Sequence, residues 1–133
     1  MKRLLPIIIA VLLLAGCAVP AEREISYRQI TMDEAVAMMK EEKNYIILDV
    51  RTVAEFDERH IPGAINVPNE TIGTDTIPEL PDKGQLILVY CRSGNRSKQA
   101  SEKLVKLGYT NIVEFGGIID WPGKTETNEG GAL

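Results

Sequence analysis

The sequence predicts an α/β fold in which a parallel β-sheet of about five strands is covered by helices on both faces. Two short and almost continuous apolar runs, YIILDV and QLILVY, are typical of strands that are buried on both faces. Segments with helical periodicity alternate with these runs, and this alternation favours a parallel sheet. At 133 residues and 44% apolar content, the chain is long enough for one domain with its own core.

The first half of the domain is expected to contain two helices on either side of a strand. Thr31 and Glu34 stand in capping-box spacing ahead of an apolar face, which predicts a helix. The first buried strand follows at residues 45–50. Thr52 and Glu55 repeat the capping-box spacing and predict a second, shorter helix.

The second half is expected to add three strands and one helix. The Pro62-Gly63 pair marks a turn, and residues 69–84 predict a long surface connection with at most one helical turn. A helix is predicted from about Ser97, with Gly108 at its C-cap. The strands of this half are predicted at 64–67, 85–90 and 111–115.

The first 17 residues have the layout of an export signal, with two basic residues, an apolar stretch and then small residues. Leu14-Ala15-Gly16-Cys17 resembles the lipobox of bacterial lipoproteins, in which the cysteine is lipidated and becomes the first residue after cleavage. The alternative is a membrane anchor, but the run of about 15 apolar residues is shorter than the ~20 that span a bilayer. Residues 18–25 are then a tether, and residues 124–133 are expected to be a disordered tail.

These features predict a protein of the bacterial cell envelope, held on the extracytoplasmic side of a membrane through lipid on Cys17. Lipidation of Cys17 would leave Cys91 as the only thiol, so Cys91 cannot form a structural disulfide within the chain. The net charge of −4, without a basic block, argues against a nucleic-acid partner. One histidine and two cysteines supply no zinc spacing, and nothing in the sequence points to a metal or another cofactor.

The segment VYCRSGNRS, residues 89–97, places Cys91 where a buried strand ends and a helix begins. In open parallel sheets, ligands bind at this edge. The helix N-terminus, the loop amides and the side chains of Arg92 and Arg96 all favour negative charge on the sulfur, and Gly94 lets the backbone wrap closely around it. We therefore expect Cys91 to be a reactive thiolate rather than an inert buried residue. Such a cradle suits a persulfide, or a phosphorylated or arsenylated sulfur.

Three segments in order resemble the rhodanese family of sulfurtransferases in its single-domain form: LDVRTVAEFDERHIPGAINVP at 48–68, VYCRSGNRS at 89–97 and FGGIIDWPG at 115–123. The resemblance implies a rhodanese-like domain over residues 26–123. It also implies a two-step reaction, in which a sulfane sulfur from an anionic donor such as thiosulfate is captured as a Cys91 persulfide and passed to a thiol or cyanide. The resemblance implies that the donor and the persulfide are bound by Arg92, Ser93, Gly94, Asn95, Arg96 and Ser97.

The same resemblance gives supporting roles to residues outside the loop. Asp49 and Arg51 match an Asp-x-Arg of the family that lies close to the loop of residues 92–96 after Cys91, here called the cysteine loop. An ion pair that fixes the strand to this loop is favoured over a role in tuning the loop. His60, before a turn, is interpreted as a capping or packing residue rather than a general base. Trp121 is interpreted as a lid over the edge of the core.

Two other functions compete with sulfur transfer. Cysteine phosphatases and arsenate reductases also hold a thiolate in an arginine-closed nest, but phosphatases place five residues between the cysteine and the arginine. Cys91 and Arg96 enclose four, and a smaller loop suits one sulfur atom. The other alternative is a lipid-anchored, non-catalytic binding module; degenerate family members usually lose the cysteine, which is retained here.

Overall fold

The computed structural model describes residue 16 and residues 26–128. The predicted signal peptide, except Gly16, lies outside the described residues, and so do the lipobox residue Cys17, the tether at 18–25 and residues 129–133. Across the part of the chain that is described, no helix has the length and apolar character needed to cross a membrane.

A five-stranded sheet runs through the domain, and every neighbouring pair of strands is parallel. The strands are β1 (Arg28–Gln29), β2 (Tyr45–Asp49), β3 (Ile65–Asn66), β4 (Leu86–Cys91) and β5 (Ile112–Gly117). Their order across the sheet is β1-β5-β4-β2-β3. The predicted α/β class is therefore confirmed, and β1 is the strand that no sequence pattern indicated.

Helices cover both faces of this sheet. They are α1 (Met32–Glu41), α2 (Val53–Glu58) and α3 (Asn95–Lys106), with 3₁₀ turns at Asn69–Thr71 and Ile118–Asp120. Both predicted capping boxes are formed, since the Thr31 and Thr52 side chains accept hydrogen bonds from the amides of Glu34 and Glu55. The long connection after β3 contains one short turn, as expected.

The core is divided by the sheet into two clusters. One packs against Ala100 and Leu104 of α3, and the other against Ala35 of α1 and Phe56 of α2. Side chains alternate between the faces of a strand, so β4 contributes to both clusters. It gives Ile87, Val89 and Cys91 to the α3 side and Leu88 and Tyr90 to the other.

Helix α3 begins at Asn95, two residues earlier than the sequence prediction near Ser97. Gly94 is its N-cap and has a φ of 110°, a left-handed conformation that glycine adopts without a steric cost. This conformation turns the chain into the helix at once, so Asn95 and Arg96 lie in the first turn of α3 rather than in a preceding loop. At the other end Gly108 has a φ of 96° just after the C-cap, close to the prediction.

The prediction of a disordered tail is wrong for residues 124–128. The backbone of Glu126 pairs with that of His60 through two hydrogen bonds of 2.9 Å, and the Asn128 amide donates to the Asp57 carbonyl at 3.1 Å. The segment lacks apolar side chains, but its backbone is held by hydrogen bonds to His60, which follows α2, and to Asp57 within α2.

Candidate active site

Cys91 is the last residue of β4 and lies on the face of the sheet that α3 covers. The carboxyl end of the strand thus places it beside the N-terminus of α3, as the sequence predicts. The residue is only 1% exposed and belongs to the same buried cluster of the core as Val89 and Ala100. The sulfur therefore lies beneath its loop and is not open at the surface, which the sequence did not anticipate.

Two polar groups contact the sulfur. The Gly94 amide donates a hydrogen bond to Cys91 Sγ at 3.0 Å, and the Ser97 hydroxyl lies 3.4 Å from the same atom. Of the loop amides in the described chain, only that of Gly94 forms a hydrogen bond with Sγ. The sulfur thus has one amide donor among the described residues, fewer than expected for the loop amides of residues 92–97.

Glycines allow this loop to pack closely against β5. A Cβ on Gly117 would lie 2.0 Å from the Arg92 carbonyl oxygen, 2.3 Å from its carbon and 2.5 Å from the Ser93 nitrogen. The Arg92 carbonyl also accepts a hydrogen bond of 3.3 Å from the Ile119 amide. The absence of a side chain at Gly117 thus fixes how near the loop lies to the end of the sheet.

A buried carboxylate, Glu114, lies under the loop and was not identified from the sequence. It is 3% exposed, and its Oε1 accepts hydrogen bonds from the Ser97 hydroxyl at 2.6 Å and the Gly116 amide at 2.9 Å. The available signal was an acidic residue inside the apolar strand segment NIVEF, because carboxylates are rarely fully buried unless they are partnered.

The two arginines that follow Cys91, Arg92 in the loop and Arg96 in the first turn of α3, have different surroundings. Arg96 forms a bidentate ion pair with Glu55, with N···O distances of 2.7 and 3.0 Å. The hydrogen bond from Arg96 holds the pKa of Glu55 at about 2, well below its usual 4.5. Arg92 is exposed and forms no ion pair within residues 26–128. The uncompensated positive charge of the loop is therefore that of Arg92.

Asp49 and Arg51 form the expected ion pair, but its attachment differs from the expectation. Arg51 Nη2 lies 2.7 Å from Asp49 Oδ2 and also donates to the Arg59 carbonyl at 2.6 Å. Both side chains are buried, and neither forms a hydrogen bond with residues 92–97 in the part of the chain described. The pair fixes the end of β2 to the connection between α2 and β3, and the Arg51 guanidinium lies 5.8 Å from the ring centre of Tyr90.

His60 and Trp121 have the packing roles that the sequence suggested. The His60 ring stacks on Phe56 at 3.8 Å, and its Nδ1–H donates to the Phe56 carbonyl at 2.8 Å. Trp121 packs at the edge of the core on the α1 and α2 side, and its Nε1–H donates to the Lys124 carbonyl at 3.0 Å. None of these contacts is with the cysteine loop.

The model of the rhodanese-like domain family matches residues 31–123, which include every element from α1 to the turn after β5. The chain belongs to the rhodanese-like domain family. Within that family it is 37% identical over 73 residues to thiosulfate sulfurtransferase PspE of Escherichia coli (strain K12), covering 55% of this chain and 70% of PspE. It is 29% identical to the putative sulfur carrier protein YrkF of Bacillus subtilis (strain 168), covering 80% of this chain and 57% of YrkF.

The same fold occurs in solved rhodanese-like domains. The rhodanese-like domain protein of Staphylococcus aureus superposes with a TM-score of 0.63 at 30% identity, covering 75% of this chain and 97% of that one. The rhodanese-like assignment is therefore supported by sequence and by fold, and the sulfurtransferase relatives support sulfur transfer as the general activity.

Proposed function

We propose that this protein is a sulfurtransferase that carries a sulfane sulfur as a persulfide on Cys91. The observation that carries the proposal is the hydrogen bond from the Gly94 amide to Cys91 Sγ, formed where β4 meets the N-terminus of α3. Backbone amides and the positive end of a helix dipole stabilise negative charge on sulfur. They would stabilise a thiolate before the transfer and a persulfide anion after it.

Thiosulfate is the donor that we propose. The Cys91 thiolate attacks the outer sulfur of thiosulfate, a sulfur–sulfur bond forms on Cys91, and sulfite leaves with the electron pair of the bond that breaks. The persulfide keeps one negative charge. A thiol or cyanide then attacks the outer sulfur and takes it, and the Cys91 thiolate is restored. The name of the relative PspE supports thiosulfate, and the exposed charge of Arg92 suits an anionic donor.

The burial of Cys91 sets a condition on this mechanism. A residue that is 1% exposed can react only if its loop opens enough to admit one sulfur atom. This condition favours small donors with a terminal sulfur over bulky ones. It also makes the non-catalytic binding module the alternative to test. If Cys91 always stays covered by its loop, the protein could act only by binding partners at its surface.

The test is to incubate the protein with thiosulfate and to map its peptides by mass spectrometry. We expect the Cys91 peptide to gain the mass of one sulfur atom and to lose it when cyanide is added, with thiocyanate formed in equal amount. Cys91→Ser, which retains Cys17, is the matched control and should gain nothing. A wild-type Cys91 peptide without an adduct would favour the binding module. Hydrolysis of an aryl phosphate that disappears in Cys91→Ser would favour a phosphatase.

We also propose that the chain is a lipoprotein of the bacterial cell envelope, anchored through Cys17 on the extracytoplasmic side of a membrane. The support is the Leu14-Ala15-Gly16-Cys17 sequence after a basic and apolar leader. Radiolabelled palmitate should be incorporated into the full chain expressed in a bacterium and not into Cys17→Ser. Equal labelling of the two proteins would contradict the anchor.

A further inference from the structure

The ion pair between Glu55 and Arg96 crosses the edge of the sheet at which Cys91 lies. Glu55 is in the first turn of α2, and Arg96 is in the first turn of α3. These helices follow β2 and β4, which are parallel neighbours, so both helices begin at the carboxyl edge of the sheet. They pack on opposite faces, α2 through Phe56 and α3 through Ala100. The pair therefore joins the two faces of the sheet across the edge that holds the candidate nucleophile.

The Glu55 carboxylate is also held in place from its own helix. Its Oε1 accepts a hydrogen bond of 3.1 Å from the Thr52 hydroxyl, and the Thr52 amide donates to the same oxygen at 3.4 Å. Arg96 adds hydrogen bonds from Nη1 to Oε1 at 2.7 Å and from Nη2 to Oε2 at 3.0 Å. A carboxylate that meets a guanidinium through two such bonds is a strong partner for it. Both terminal nitrogens of Arg96 thus already donate to an anion that belongs to the protein.

Arg96 is within electrostatic reach of the sulfur. The hydrogen bond to Glu55 is the main cause that raises the pKa of Arg96, and the negative charges of Glu55, Cys91 and Glu70 add to this effect. The Arg96 side chain is 30% exposed, so a small solute can contact it. A guanidinium is well suited to bind an oxyanion through two hydrogen bonds. An anionic donor that brings sulfur to Cys91 therefore approaches the same group that Glu55 occupies.

We propose that Glu55 is a positioning residue that competes with the anionic group of the sulfur donor for Arg96. In the free protein Arg96 is bound by Glu55. When an anionic donor binds, its charged group replaces the carboxylate on the guanidinium, and Glu55, which is 29% exposed, turns towards water. No covalent bond forms or breaks and no proton moves in this exchange. The inference rests on the proposed function in taking Cys91 as the atom to which the donor brings its sulfur.

This exchange weakens the binding of anionic donors selectively. An anion can use Arg96 only after the ion pair with Glu55 is broken, whereas an uncharged donor leaves the pair intact. The bidentate geometry places the pair at the upper end of the range for partly exposed ion pairs, which corresponds to about a five-fold loss of affinity for anions. Glu55 thus determines how strongly the site prefers charged over uncharged donors.

Glu70 separates this competition from simple repulsion of the donor. Its negative charge also acts on Arg96, but it is exposed and forms no ion pair with Arg96 within residues 26–128. Removal of the Glu70 charge changes only the electrostatic field at the site. Removal of the Glu55 charge changes the field and also frees the guanidinium. Competition therefore predicts a larger effect at Glu55 than at Glu70.

The first test compares two alkylating agents that differ by one charge, anionic iodoacetate and uncharged iodoacetamide. Both react with Cys91 by displacement of iodide, and the rates are read on the Cys91 peptide of the full chain. Their ratio does not depend on how much of Cys91 is ionised, because both agents need the same thiolate. We expect Glu55→Gln to raise the iodoacetate-to-iodoacetamide ratio about five-fold, since it frees Arg96 and keeps an oxygen for the Thr52 bonds.

Glu70→Gln is the matched control and should raise the ratio by less than about two-fold, because salt screens the field of an exposed charge. When Arg96→Ala is added, the gain from Glu55→Gln should fall to that of Glu70→Gln. Equal gains at positions 55 and 70, or an unchanged ratio in Glu55→Gln, would overturn the inference. So would equal acceleration of both agents, which is the result if Glu55 only keeps the cysteine loop closed.

A second measurement uses thiosulfate and involves no reaction. Calorimetry gives the Kd for thiosulfate of the full chain carrying Cys91→Ser, with and without Glu55→Gln. We expect the protein with both substitutions to bind thiosulfate about five-fold more tightly. Equal Kd values, or no binding by either protein, would contradict the competition. Neither measurement needs sulfur transfer, so failure of thiosulfate to load wild-type Cys91 would overturn the proposed function alone.

Discussion

Replacing Gly117 by alanine tests whether the contact between the cysteine loop and β5 positions the site. The new Cβ would meet backbone atoms only, with the Arg92 carbonyl oxygen 2.0 Å away and the Ser93 nitrogen 2.5 Å away. Gly117 has an extended backbone, with φ −138° and ψ 154°, which alanine adopts without strain. The effect of the substitution is therefore purely steric.

The size of the effect follows from these distances. Non-bonded carbon and oxygen atoms approach to roughly 3.5 Å, so the loop has to retreat by more than about 1 Å. Overpacking of this kind costs about 1–3 kcal/mol of unfolding free energy. The same shift would stretch the bond of 3.0 Å from the Gly94 amide to Cys91 Sγ beyond hydrogen-bond length. Losing a hydrogen bond to a charged group costs about 1.5–3 kcal/mol, which corresponds to at least about ten-fold slower persulfide formation.

The assay combines urea unfolding with the rate at which thiosulfate adds sulfur to Cys91. Gly73→Ala is the matched control, because a Cβ at Gly73 meets nothing within 4 Å and its backbone is not left-handed. It should change neither quantity by more than a few tenths of a kcal/mol. If Gly117→Ala unfolds and loads sulfur as wild type does, the loop is not held by its contact with β5.

Three further outcomes are expected. Arg92→Ala should raise the KM for thiosulfate several-fold and leave that for an uncharged organic trisulfide nearly unchanged, because the exposed charge steers anions. Wild-type stability should fall as pH drops from 4.5 towards 2, where the depressed pKa of Glu55 lies, by about 1 kcal/mol after allowance for solvent screening; Glu55→Gln should lack this step. Tyr90→Phe should cost about 1–3 kcal/mol, because the buried Ile61 amide loses its acceptor at 3.1 Å, while sulfur loading stays unchanged.

Each of these has a control and a contradicting result. Arg96→Ala should raise the KM for thiosulfate less than Arg92→Ala does. If Arg92→Ala raised the KM for charged and uncharged donors equally, electrostatic steering by Arg92 would be contradicted. Glu58 is exposed and forms no ion pair among the described residues, so Glu58→Gln should still lose stability between pH 4.5 and 2. If Glu55→Gln also lost stability over this range, the ion pair between Glu55 and Arg96 would not be its cause. Tyr45→Phe breaks a half-buried bond to the Met39 carbonyl and should cost less than Tyr90→Phe; the reverse order would contradict the burial argument.

The elements that the sequence predicts best are those whose signals are local. The strands β2 and β4 are continuous apolar runs, and α1 and α2 begin at capping boxes whose partners are three residues apart. Strand β1 has no such signal, because its two exposed residues join the sheet through backbone pairing with β5. Helix α3 begins earlier than predicted because Gly94 adopts a left-handed conformation, which a glycine in the sequence allows but does not require.

The candidate site shows the same division. The position of Cys91 at a strand end follows from the pattern of residues 85–97, but the burial of its sulfur depends on how the loop packs against Gly117. The sequence indicates Glu55 only as a capping residue, although its carboxylate also binds Arg96, 41 residues further along the chain. Glu114 is placed beneath the loop by the register of β5 against β4. Contacts between distant segments of this kind leave no periodicity in the sequence.

The pairing of Glu126 with His60 has a practical consequence for where the folding unit stops. The match to the family model ends at residue 123, but Glu126 and Asn128 still form backbone hydrogen bonds with the domain. A chain cut at the family boundary would leave the buried His60 with a bare amide and a bare carbonyl next to the stacked Phe56 ring. A chain expressed to obtain the folded domain should therefore extend past Asn128, whose backbone amide donates a hydrogen bond to the Asp57 carbonyl.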